Sequence, residues 1–149
     1  MKYDHLITAV AACAGLGVLT GCTPAINSTS TSVSPHGERW QISAVYIDDA
    51  TPPRLPESIG SQAFLTVGTS TVVGSTGCQL LTGKATWSNL GGGQSVQFDV
   101  ATRDQACDPL TAHYSDLIRG FLGVPLQVST DGDALKLERE DGAIMELVQ

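Results

Sequence analysis

The chain has 149 residues, with 15 Asp and Glu against 8 Lys and Arg, for a formal net charge of −7. That length holds one domain with a core of ordinary size. The acidic balance argues against nucleic acid, which calls for a basic footprint, and against electrostatic adhesion to anionic lipid headgroups.

The N-terminus reads Met1-Lys2-Tyr3-Asp4-His5, followed by an apolar run from Leu6 to Leu19. A short head with a lysine, an apolar middle and small residues before a break are the features of an export signal. The run is 14 residues long, too short for a bilayer that needs about 20. It closes on Leu19-Thr20-Gly21-Cys22, which resembles the cleavage site of bacterial lipoproteins. That resemblance implies a diacylglyceryl group on the Cys22 thiol and removal of residues 1–21. Two or more acyl chains anchor a protein stably where one does not. Cys22 is thus the expected attachment to a membrane, and the expected location is the bacterial cell envelope. Cys13 falls within the discarded run and has no assigned role.

The remaining cysteines, Cys78 and Cys107, lie 29 residues apart in an exported chain and are expected to form one disulfide. A redox or metal role favours closer spacing such as C-x-x-C, which the chain lacks. Residues 22–38, rich in Ser, Thr and Pro and almost without apolar side chains, read as a disordered tether. His36 falls in that tether.

The folded domain is expected over residues 39–149. Alternation in Trp40-Gln41-Ile42-Ser43-Ala44-Val45-Tyr46 puts Trp40, Ile42, Ala44 and Tyr46 on one face of a strand. The stretch from Asp48 to Pro56 is broken by prolines and reads as a loop. Ala63–Val67 and Thr71–Gly74 read as short strands around Gly68-Thr69-Ser70. A turn-rich passage follows from Ser75 to Gly83, then a strand at Ala85-Thr86-Trp87 and a flexible connection at Gly91–Gly93. Val96, Phe98 and Val100 mark a half-buried strand.

The period then changes. Asp108 is a good N-cap, and Pro109 suits the first helical position. Leu110, Tyr114, Leu117, Ile118, Phe121 and Leu122 share one face, which predicts an amphipathic helix over 109–122. Gly123 is expected to close it in a left-handed cap, and Pro125 prevents its resumption. Leu126–Val128, Leu135–Glu138 and Ala143–Leu147, joined at Asp131-Gly132-Asp133 and Asp141-Gly142, form a three-stranded meander. The total is mainly β within an α+β class: about eight short antiparallel strands, with one helix before the last three.

This order of elements resembles the META domain family, which includes the HslJ-like proteins. The resemblance is carried by Trp40-Gln41-Ile42, by Gly77-Cys78 with Gly83, by Thr102 and Ala106-Cys107 ahead of the helix, and by Leu135-Lys136-Leu137 with Asp141-Gly142. Gln79 departs from the family, which usually has Asn after the cysteine. The resemblance implies an incompletely closed, barrel-like sheet with a helix packed against it, and no established enzymatic activity.

Chemistry-bearing residues favour a non-catalytic reading. His113 has no partner at helical spacing for a metal pair and reads as a packing or boundary residue. No G-x-S-x-G elbow occurs. Asp131 and Asp133 lack calcium-loop spacing and fit a hairpin, and Gly91–Gly93 lacks the remainder of a phosphate loop. No cofactor and no metal are expected. Three functions stand: an envelope protein that docks on another exported protein under stress, a binding module for a small apolar ligand or lipid, and a hydrolase with an unfamiliar site, for which no feature speaks. In the second case Trp40, Phe64, Trp87 and Phe98 would line the ligand site.

Overall fold

The structure, a computed structural model, describes residues 34–48, 54–90 and 92–149, except for the side chain of Leu90. The expected export signal at 1–21, the lipid-bearing Cys22 and the tether as far as residue 33 lie outside the described residues.

Strands β1 (Arg39–Tyr46), β2 (Ala63–Val67), β3 (Thr71–Thr76), β4 (Gln79–Leu90), β5 (Gly93–Asp104), β6 (Leu126–Asp131), β7 (Ala134–Glu138) and β8 (Ile144–Val148) follow one another around a ring. Each pairs antiparallel with its neighbours in sequence, and β1 pairs with β8 to complete the circuit. The short helix α1 (Glu57–Gly60) lies between β1 and β2, and the longer α2 (Pro109–Leu122) lies between β5 and β6. The architecture is therefore the expected mainly β sheet with a helix before the last three strands. The ring is thin where β5 meets β6: they pair only over Gln94–Val96 against Leu126–Val128. The remaining length of β5, from Gln97 to Asp104, has β4 on one side and no strand on the other among the described residues. This is where the ring is splayed.

Alternation dictates the inner face. Val96, Phe98 and Val100 turn inward from β5, as Leu135 and Leu137 do from β7 and Met145 and Leu147 from β8. In β1 the expected face is corrected. The β1–β8 register shifts between Ile42 and Ala44, so one extra residue enters β1. Such a bulge resets the period of two. Val45 becomes buried along with Ala44, while Tyr46, expected inside, is 38% exposed.

Strand β4 is longer than its sequence suggests. It starts at Gln79, and Gly83 is a strand residue paired with Val100 rather than part of a turn. A Cβ at Gly83 would run into the Asp99 carbonyl oxygen, and one at Gly74 into that of Phe64. Both glycines mark a close approach of backbones within a sheet. The turn itself is confined to Gly77-Cys78, with Gly77 at φ +97°.

Helix α2 has the expected bounds. Asp108 caps it by accepting hydrogen bonds from the backbone N–H groups of Leu110 and Thr111, both at 3.0 Å. Two expectations are corrected. Gly123 adopts φ −76°, ψ 0°, a right-handed end rather than a left-handed cap. The buried stripe runs through Thr111, Ser115, Ile118, Phe121 and Leu122, while Leu110 is 53% exposed. The first half of the helix meets the sheet through the Ser115 hydroxyl, bonded to Thr76, and rests Tyr114 on the core's margin. The second half enters the core with Ile118, Phe121 and Leu122.

That core fills the ring. Trp40, Ile42, Leu65, Leu81, Phe121 and Met145 are among its largest fully buried side chains. Ile59, from α1, is also buried in it.

Candidate functional site

One end of the ring is held by a covalent and polar knot. Cys78 and Cys107 form the expected disulfide, with their Cα atoms 5.6 Å apart. It joins the β3–β4 turn to the segment leading into α2. Beneath it, the buried hydroxyls of Thr76 and Ser115 are hydrogen-bonded to each other. Thr76 Oγ1 also accepts the Gln79 backbone N–H at 3.1 Å, and the Gly77 N–H donates to Ser75 Oγ at 3.1 Å. The turn is thus braced from its own backbone and from Thr76. Gln79, in place of the family's Asn, sends its longer side chain across the ladder and donates to Asp104 Oδ1 at 2.7 Å. Its Oε1 is buried without a partner. At the helix entrance, the Thr111 hydroxyl and N–H groups hold the Asp108 carboxyl below the usual carboxylate range.

The four aromatic side chains considered for an apolar ligand do not line a common space. Trp40 and Phe98 are core residues, 0% and 4% exposed. Trp87 packs at the core's margin, and its Nε1 donates to the Gly68 carbonyl at 3.1 Å. Phe64 points out of the ring between inward-facing Ala63 and Leu65, with the Arg39 guanidinium 3.6 Å from its ring centroid. Filling by large side chains leaves the interior as a packed core.

The histidines are also separate. His113 is exposed, in edge contact with the Tyr114 ring. His36 meets the Trp87 ring edge-on with centroids 4.4 Å apart, and it bridges to Val67. The Trp40 Nε1 donates to the Pro35 carbonyl at 3.1 Å. The end of the expected tether is therefore built into the domain, through contacts that polar composition does not signal.

In the β6–β7 hairpin, Asp131 pairs with Lys136 at 2.8 Å rather than standing with Asp133 around a cation. The pairing lowers the Asp131 pKa and raises that of Lys136. Among the described residues, no three His, Cys, Asp or Glu side chains group as a metal site.

The surface most suited to recognition lies on the outer face of β2–β5. Leu81 turns inward, which puts Leu80, Thr82 and Lys84 outside on β4 and their register partners Arg103, Ala101 and Asp99 outside on β5. Val73 stands beside Thr82 on β3. Val73 is 45% exposed and Leu80 36%. A shallow groove of about 330 Å³ runs over Leu80, Thr82, Ala101, Thr102 and Arg103. Arg39, Lys84, Asp99 and Arg103 give the patch a charged rim of mixed sign. The signal for this face was its alternation, which Gly83 obscures when it is taken for a turn residue.

The sequence matches the family model of the META domain over residues 33–149. No curated protein matches it. Among solved structures, it is similar to a protein from Burkholderia xenovorans determined by NMR, with a TM-score of 0.59 and 18% identity. That match covers 76% of this chain and 82% of the other. A crystal structure of a DUF4847 family protein from Bacteroides vulgatus is similar at a TM-score of 0.54 and 13% identity, covering 75% and 92% of the two chains. At such identities the likeness concerns the fold alone.

Proposed function

Because the chain belongs to the META domain family, we propose that it is a non-catalytic interaction module of the bacterial cell envelope, held to a membrane by lipid on Cys22. The domain docks on another exported protein through the outer face of β2–β5. The observation that carries this reading is the pairing of a filled interior with an exposed apolar strip, Val73 and Leu80, among the outward charges of Arg39, Lys84, Asp99 and Arg103. Exposed apolar residues ringed by polar ones are typical of recognition surfaces. A small apolar ligand has less support, since the aromatic side chains that would hold it are core or face outward.

The anchor rests on Leu19-Thr20-Gly21-Cys22, and the stretch that follows gives the domain reach from the membrane. Cys22→Ser is expected to shift the protein from the membrane to the soluble fraction while its thermal unfolding stays unchanged. A variant that remains membrane-bound refutes the anchor. For the docking face, the measure is in-cell crosslinking of wild type against the double variant Val73→Glu and Leu80→Glu. Reproducible adducts that vanish in the folded double variant support the face, and adducts of unchanged identity and yield refute it.

A further inference from the structure

The outer half of β5 is an edge without a strand beside it, and we propose that it is the seam of a symmetric dimer in which β5 pairs antiparallel with β5 of a second copy. The inference stands independently of the membrane anchor and of any other partner.

The hydrogen-bonding direction along β5 follows from two observations. Leu90 pairs with Gly93 across the β4–β5 connection, and the Gln105 N–H donates to the Cys78 carbonyl at 2.7 Å. Gln105 therefore turns its backbone polar groups toward β4, and by strict alternation so do Arg103, Ala101 and Asp99. Phe98, Val100, Thr102 and Asp104 turn theirs the other way. Beyond Val96, no strand among the described residues receives them. A gap of about 530 Å³, lined by Gln97, Phe98, Asp99, Val100, Thr86 and Gly123, opens beside this edge and separates it from the end of α2. An unpaired edge of this length is a template for another strand. Here it carries no proline to block pairing.

Charge then selects the second strand. Outward side chains along the edge read Asp99, Ala101, Arg103. Placing a two-fold axis at Ala101 sets Asp99 of each copy opposite Arg103 of the other, and Val100 opposite Thr102. In that register Val100 and Thr102 exchange backbone hydrogen bonds, because their groups already face the edge. Asp99 and Arg103 fall at the non-hydrogen-bonded positions, where opposing side chains come closest. The small side chain of Ala101 at the axis lets the strands meet. Hydrogen-bond parity and charge thus agree on one self-complementary register, as an isologous two-fold interface requires. The outer faces of the two copies would join into one continuous sheet surface.

The test uses the full chain carrying Cys22→Ser. Sedimentation equilibrium is expected to give a monomer–dimer transition with rising concentration. Arg103→Asp is expected to weaken it by about tenfold, because both cross-strand pairs turn from attraction to repulsion. Mixing that variant with Asp99→Arg restores association, since each copy then offers what the other lacks. Ala101→Cys, in which the axis brings the two thiols within bridging distance, forms a disulfide-linked dimer under mild oxidation, whereas Asp133→Cys does not. Circular dichroism confirms that each variant is folded. A monomer at every concentration, with Ala101→Cys crosslinking no faster than Asp133→Cys, overturns the proposal. So does a dimer indifferent to the charge changes and to their mixing.

Discussion

Removing the Cys78–Cys107 bridge by the double substitution Cys78→Ala and Cys107→Ala tests how the splayed part of the ring is held. The cysteines are separated by 29 residues along the chain. The loop-entropy relation for a closed loop of that size gives about 3.6 kcal/mol of stabilisation, acting through the unfolded chain. Cys107 is exposed and the turn keeps its Thr76 hydrogen bonds, so the native state loses only the packing of the buried Cys78 sulfur. Urea unfolding followed by tryptophan fluorescence should therefore show a midpoint lower by roughly 2 M, for a slope of about 2 kcal/mol per molar. The signal comes from Trp40 in the core and Trp87 at its margin. Wild type in a reductant should lose the same amount as the double variant. A loss below about 1 kcal/mol refutes the reasoning, because the unfolded chain would then gain too little freedom for the loop relation to hold.

Two further perturbations probe the sheet and the helix entrance. Gly83→Ala places a methyl group against the Asp99 carbonyl; a thermal melt should show destabilisation of more than about 2 kcal/mol, beyond what an ordinary surface change causes. Asp108 has a folded pKa lowered by the Thr111 hydroxyl and backbone bonds. Its contribution is complete above the unfolded carboxylate value and is lost as pH falls through the depressed folded value. The stability gap between wild type and Asp108→Asn, measured by urea unfolding against pH, should accordingly be widest near neutrality and close in acid.

The helix was legible because its signals are local: Asp108 and Pro109 start it, and Pro125 forbids continuation. Its rotation was not, because Ser115 is buried by a hydrogen bond to Thr76, far away in sequence, and Thr111 by the turn at Gly77. The strands with plain alternation, β2, β5 and β7, were readable for the same local reason. Two features escaped because they belong to pairs of strands. The bulge after Ile42 exists only in the β1–β8 register, and Gly83 is strand rather than turn only because Asp99 lies against it. Helix α1 spans only Glu57–Gly60, too short to show a period. The candidate recognition face was hidden behind the same glycine. The disulfide, by contrast, followed from simple counting once the chain was taken to be exported.

The order of strands around the ring has a kinetic meaning. From β1 to β8, each strand pairs with the one just before it, so nearly all closures are short loops of low contact order. The exception is the β1–β8 seam, where Ser43 donates to the Glu146 carbonyl across 103 positions of sequence. Its loop-closure entropy is the largest in the ladder. Until the last few residues emerge, β1 and β7 each show a bare edge, and the core that includes Trp40 and Met145 is open along that side. A chain cut short before Ile144 is thus a sheet with two sticky margins, destined for aggregation or proteolysis rather than slow repair. The final strand is the latch of the fold, and its arrival converts a growing meander into a protected ring.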